Sequence, residues 1–182
     1  PRTALTIHNL AYLGHFGRAT WPLTGLPWDY FHPEGVEFWG GYSLLKCGLI
    51  HADTLTTVSP HYAWEITTPE FGCGVDGVLR RRRGDLRGIL NGVDYSEWTT
   101  TGNRHLAASY SAQDLSGKAA CKAALQAELG LPQRPEVPLF GNVGRLDPQK
   151  GVDILASAVG ELLSADVQYV QLGTGQPWLE MA

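Results

Sequence analysis

Residues 144–151 run Gly-Arg-Leu-Asp-Pro-Gln-Lys-Gly and place two cations, Arg145 and Lys150, in one short loop bounded by glycines. An apolar run at 137–143 precedes it, and residues 152–159 carry apolar side chains at helical spacing, so the loop joins a buried strand to a helix. In parallel α/β sheets such corners lie at the carboxyl ends of strands, where ligands bind and helix amino termini favour anions. Arg presents a planar fork to phosphate oxygens and Lys a mobile point charge, so the two are complementary. Gly144 and Gly151 allow close backbone approach to a ligand. The chemistry this loop could serve is binding of a phosphate-bearing ligand; the plainer reading is a pair of solvated loop charges.

A second candidate is His8-Asn9, at the end of the strand-patterned residues 4–7. An imidazole there can reach a ligand with one donor and one acceptor nitrogen, although a lone His is also often a satisfied core residue. The two candidates belong to separate strand-and-helix units, which points to a cleft with His8 on one edge and Arg145 and Lys150 on the other. Glu34, Glu37, Glu65, Glu70 and Asp76 show no spacing that singles out the carboxylate pair a glycoside hydrolase needs. Trp21, Trp28 and Trp39 could stack on sugar rings or pack beneath a long loop.

The elements that position these residues alternate as a parallel sheet requires. Residues 4–7 form a strand. The stretch 10–40, rich in Gly, Pro and aromatics, is too long for a plain linker and is expected to pack as a functional loop with a short helix near 28–31. A helix is expected over 42–52 and a strand over 53–58, after which Ser59-Pro60 supplies an N-cap and first-turn proline for a helix through Ile66. A strand at 86–90 stops at Asn91-Gly92, and polarity then rises, which puts a domain boundary within 92–104. Beyond it come a helix over 116–129 closed by Gly130, a strand at 137–143, a helix at 152–163 and a strand at 167–172 ending in Gly173-Thr174-Gly175. The last three make one βαβ crossover.

Composition narrows the function. With 182 residues, 43% hydrophobic and six Trp, the chain can build an ordinary core. A net charge of −4 argues against nucleic-acid binding, and the one basic run, 80–83, is most simply an exposed loop. No stretch is long and apolar enough for a membrane span. Cys47, Cys73 and Cys121 are odd in number and widely spaced, which suggests reduced thiols, a reducing compartment and no zinc site. The opening at Pro1 beside a strand, and the close inside a helix start, suggest an internal piece of a longer protein.

The residues also carry a family resemblance. Residues 6–14 (Thr-Ile-His-Asn-Leu-Ala-Tyr-Leu-Gly), 43–53 (Ser-Leu-Leu-Lys-Cys-Gly-Leu-Ile-His-Ala-Asp), 58–60 (Val-Ser-Pro), 88–94 (Gly-Ile-Leu-Asn-Gly-Val-Asp) and the Arg145 loop resemble, in order, bacterial glycogen synthase and plant starch synthase. The resemblance implies an α/β fold of the GT-B type, containing parts of two Rossmann-like domains with parallel sheets. Residues 1–98 would be the later part of the acceptor-side, starch synthase catalytic domain, and 99–182 the start of the nucleotide-sugar-binding domain.

It further implies a retaining glucosyltransferase that moves glucose from ADP-glucose to the nonreducing 4-hydroxyl of an α-1,4-glucan. By that likeness Arg145 and Lys150 bind the donor diphosphate, His8 lies at the transferred glucose, Asn9 and Asn91 lie beside sugar, and Gly173, Thr174 and Gly175 approach the nucleotide. For Asn91 and for 173–175, an ordinary turn is the alternative. No cofactor or metal is implied besides the donor, and the partners are a nucleotide sugar and a glucan, in the bacterial cytoplasm or a plant plastid. The family's amino-terminal Lys-x-Gly-Gly loop and carboxyl-terminal Glu-Pro-Cys-Gly motif are missing, so this chain alone is expected to be inactive. A related glycosyltransferase with another donor, or a noncatalytic glucan-binding paralogue, would share much of the pattern.

Overall fold

In the computed structural model, which describes residues 1–181, the chain divides into two units, Pro1–Val93 and Asp94–Ala182. The first begins with strand β1, Ala4–Ile7. A small antiparallel sheet follows, made of β2 (His15–Gly17), β3 (Glu37–Phe38) and β4 (Gly41–Ser43) in the order β2-β4-β3. Between β2 and β3 lie two 3-10 segments, Arg18–Thr24 and Trp28–Tyr30. The unit continues with α1 (Leu44–His51), β5 (Thr54–Thr57), α2 (Pro60–Glu65), α3 (Asp76–Arg81) and β6 (Leu86–Gly88).

Its main sheet is parallel, in the order β1-β5-β6, with Ala4 opposite Thr54 and Leu55 opposite Leu86. The core lies where α1 and α3 cover this sheet: Ile7, Leu55 and Leu86 from the strands meet Leu49 of α1 and Val78 and Leu79 of α3. Both expected caps form. Ser59 Oγ accepts from the Tyr62 amide at 3.0 Å, and Pro60 occupies the first turn of α2, where its missing N–H leaves no intrahelical bond unmade.

The second unit contains α4 (Gly117–Glu128), β7 (Leu139–Val143), α5 (Val152–Leu162), β8 (Gln168–Leu172) and α6 (Pro177–Glu180). Strands β7 and β8 pair in parallel, Leu139 with Gln168 through Val143 with Leu172, so β7-α5-β8 is the crossover the sequence implied. Gly130, at φ +67, ends the α4 segment in the left-handed conformation that glycine adopts without a Cβ penalty. Among the described residues no helix is long and apolar enough to cross a membrane.

Three local expectations are corrected. Tyr42, expected in a helix, is in β4, because Gly41–Ser43 pairs with both β2 and β3 as the middle strand of the small sheet before Ser43 caps α1 by accepting from the Lys46 amide. The strand expected at 86–90 ends at Gly88, beyond which the chain continues without ladder partners except for the Ile89 amide, which donates to the Thr57 carbonyl at 2.7 Å. The basic run 80–83 is not an exposed loop. Arg80 and Arg81 finish α3, and the half-buried Arg82 donates from Nη1 to the carbonyls of Leu49 and Ile50 at 2.9 and 3.1 Å, satisfying the last turn of α1.

Candidate active site

In the first unit, His8 directly follows the last residue of β1 and is exposed. Its position is fixed by its neighbours. Ile7 and Leu10 are fully buried on either side, the Thr57 hydroxyl donates to the Ile7 carbonyl at 2.7 Å, and the Leu10 amide donates to the Tyr62 hydroxyl at 3.0 Å. Asn9 uses its side-chain oxygen to accept from the Ala11 amide at 3.0 Å, a local turn that bends the chain away from the sheet. Asn91 is exposed three residues past the end of β6. Since β1 and β6 flank β5 in a parallel sheet, His8 and Asn91 emerge at the same carboxyl rim, from strands about 10 Å apart.

In the second unit the Arg145 loop takes a defined shape. Leu146 is buried with Val152 and Leu179, so the side chains of Arg145 and Lys150, both exposed, flank an anchored apolar residue. Asp147 accepts from the Gln149 amide through its side chain at 2.9 Å and from the Lys150 amide through its carbonyl at 2.8 Å, opening a 3-10 turn over Pro148–Lys150. Gly151 ends that turn at φ +71 and begins α5, a left-handed position at a helix start that suits glycine. Lys150 is thus held directly before Gly151, the N-cap of α5, beside the amino terminus whose unpaired amides favour an anion.

Gly173-Thr174-Gly175 lies against this loop. The Gly144 amide donates to the Leu172 carbonyl and the Leu146 amide to the Thr174 carbonyl, both at 3.0 Å, while the Gln176 amide returns to the Leu146 carbonyl at 2.8 Å. The parallel pairing of β7 and β8 therefore extends past both strands through a Leu146–Gly175 bridge. Gly175 donates its amide to Glu180 Oε1 at 2.7 Å. The structure so brings Arg145, Lys150 and residues 173–175 together on one rim, and His8, Asn9 and Asn91 on the rim of the other unit.

Sequence reasoning passed over one buried cation. Lys46, only 7% exposed, donates from Nζ to the carbonyls of Pro33 and Glu37, each at 2.6 Å. Burial pushes its pKa below the usual lysine range, partly opposed by the nearby Glu37 carboxylate. Its signal in the sequence is a Lys on the apolar face of an otherwise hydrophobic helix. The tryptophans separate as well: Trp21 is buried among Trp28, Phe31 and Tyr42, the Arg18 guanidinium lies 5.3 Å from the Trp28 ring centre, and Trp39 is 83% exposed.

Comparison with known proteins gives these rims a context. Residues 1–81 match the family model for the starch synthase catalytic domain. The whole chain is 59% identical to glycogen synthase from Anaeromyxobacter sp. strain Fw109-5, and 97% of it is 52% identical to glycogen synthase 1 from Geobacter metallireducens. Its fold superimposes, with a TM-score of 0.89 over 99% of the chain at 33% identity, on the catalytic domain of starch synthase IV from Arabidopsis thaliana, determined with ADP and acarbose bound. The chain belongs to the glycogen synthase and starch synthase family. It is an α/β protein with parallel sheets, of the GT-B class of that catalytic domain. It spans 38% of the length of both the Anaeromyxobacter glycogen synthase and the starch synthase IV chain.

Proposed function

We propose that the full-length protein is a retaining glucosyltransferase that moves glucose from ADP-glucose to the nonreducing 4-hydroxyl of an α-1,4-glucan. Residues 1–98 then belong to the acceptor-side domain and residues 99–182 open the nucleotide-sugar domain. The observation that carries this reading is the likeness, across 99% of the chain, to a starch synthase catalytic domain that holds ADP and acarbose.

Breaking a glycosyl–phosphate bond leaves negative charge on the diphosphate and positive charge on the sugar, so catalysis calls for cations at one end and dipoles at the other. Arg145 and Lys150 take the diphosphate end, beside the amino terminus of α5, and offset its charge without calling on a metal. The C1–oxygen bond breaks with its electron pair leaving on ADP, while the acceptor 4-hydroxyl oxygen bonds to C1 and passes its proton to the departing diphosphate. His8 contacts the transferred glucose, Asn9 and Asn91 lie beside sugar, and residues 173–175 border the nucleotide. The bonding of the Asn9 side chain, and of the Thr174 carbonyl and Gly175 amide, within the protein makes these groups shape the site and leaves the Thr174 hydroxyl and the Asn91 amide as the ones to meet ligand. With no helix suited to a membrane among the described residues and three free cysteines, we place the reaction in the bacterial cytoplasm.

The test is transfer of labelled glucose to glycogen by the full-length protein, given ADP-glucose and UDP-glucose in separate assays. Incorporation from ADP-glucose with an α-1,4 linkage supports the reading. Incorporation only from another nucleotide sugar, or none despite glycogen binding, replaces it with a different transferase or a glucan-binding protein.

A further inference from the structure

Two left-handed turns face one another in the first unit. Trp39 and Gly40 have φ of +50 and +80, and Cys73 and Gly74 have +48 and +80. For a residue as bulky as Trp a positive φ is an outlier that persists only where the surroundings impose it, and such strain gathers at ligand sites. Here the strain holds an indole in solvent: Trp39 is 83% exposed, its Nε1 edge resting where a Cβ on Gly74 would be 3.5 Å away and its ring set edge-on to Phe38 at 6.1 Å. Burial among the described residues does not account for this placement.

Trp39, Phe38, Glu37, Gly74 and Lys46 line an open cavity of about 440 Å³. Lys46 has three N–H donors, of which two go to the Pro33 and Glu37 carbonyls, leaving one for the cavity it lines. The wall also carries the Glu37 carboxylate, whose Oε1 accepts from the Gly40 amide at 2.7 Å and so stiffens the Trp39 turn. The ammonium and the carboxylate on this wall, with the Arg81 guanidinium near enough to act on Lys46, offer fixed polar groups to a ligand with many hydroxyls. A flat, exposed indole beside fixed hydrogen-bonding groups is the arrangement that binds the apolar face of a sugar ring while its hydroxyls find partners.

We propose that this cavity is a glucan subsite on the first unit, with Trp39 stacking on one glucose ring and Lys46 donating to a neighbouring sugar hydroxyl. The proposal rests on the reading of the protein as acting on an α-glucan and adds a place where that chain is gripped. No residue assigned to the transfer step lines the cavity, so the subsite acts on retention of the polymer.

The experiment measures binding of maltoheptaose, and of glycogen in native affinity gels, by the full-length wild-type protein and by Trp39→Gly, Trp39→Tyr and Trp64→Leu. Glycine relieves the positive φ at position 39, so Trp39→Gly removes the indole without loading the fold. We expect Trp39→Gly to weaken maltoheptaose binding about fivefold to tenfold and to lose gel retardation, Trp39→Tyr to keep most of the affinity, and Trp64→Leu, a control at another exposed Trp, to match wild type. Unchanged affinity in Trp39→Gly, or an equal loss in Trp64→Leu, overturns the subsite. Glucose transfer from ADP-glucose, measured on the same wild-type preparation, separates the two levels: normal transfer with unaltered Trp39→Gly binding sinks the subsite alone, whereas no transfer sinks the functional reading while the binding comparison still decides the subsite.

Discussion

Gly173 sits so close to Gly144 that a Cβ built on it would stand 1.8 Å from the Gly144 carbonyl oxygen. The same holds one step along, where a Cβ on Gly175 would be 2.1 Å from the Leu146 carbonyl oxygen. These two glycines are there because the segment after β8 presses on the backbone of the Arg145 loop. Gly173→Ala must force the two segments apart, an overpacking change that should cost about 1–3 kcal/mol. We expect a lower melting temperature and, in the full-length protein, a raised KM for the donor as the Arg145 loop shifts. A Gly173→Ala protein with wild-type stability and donor KM would falsify the link.

Lys46 offers a stability test. Lys46→Met keeps the stem but takes the donor away from the Pro33 and Glu37 carbonyls, and a hydrogen bond to a charged group contributes about 1.5–3 kcal/mol. The ammonium's own burial penalty disappears in the variant and offsets part of that loss. Urea denaturation should show net destabilisation of roughly 1–4 kcal/mol. A more stable variant would mean that desolvation of the charge outweighs both bonds.

The Arg134–Asp166 pair yields a pH prediction. Guanidinium hydrogen bonds of 2.5 and 2.7 Å hold the Asp166 carboxyl below its ordinary range. Because the folded value is the lower one, the pair's contribution is fully present above the unfolded carboxylate pKa of about 3.9 and fades as pH falls through the folded value. Arg134→Met should therefore move Asp166 titration upward, as followed by carboxyl NMR, and reduce the acid sensitivity of folding. Identical titration curves in the two proteins would contradict the assignment.

Much of this was legible beforehand because periodicity and caps are local. Ser59-Pro60 announced α2, Gly130 closed the α4 segment, and the apolar runs at 137–143 and 167–172 gave the parallel pair with its crossover. The small sheet of β2, β3 and β4 was not legible: its strands have two or three residues, too few for an alternating pattern, and Gly41–Ser43 adjoin a helix whose apolar spacing absorbs them. Arg82 was misread because its value lies in the carbonyls of Leu49 and Ile50, more than thirty residues away in the chain. At the candidate site, the residue types of the Arg145 loop pointed to phosphate, but the reason for Gly173 and Gly175, contact with a second backbone, needed coordinates.

The most direct measurement is kcat for glucose transfer from ADP-glucose to glycogen by the full-length protein and its Arg145→Ala variant. If the guanidinium stabilises charge developing on the departing diphosphate, its loss removes about 3 kcal/mol and slows turnover about a hundredfold at saturating donor. Wild-type turnover in Arg145→Ala would contradict the proposed role of the loop.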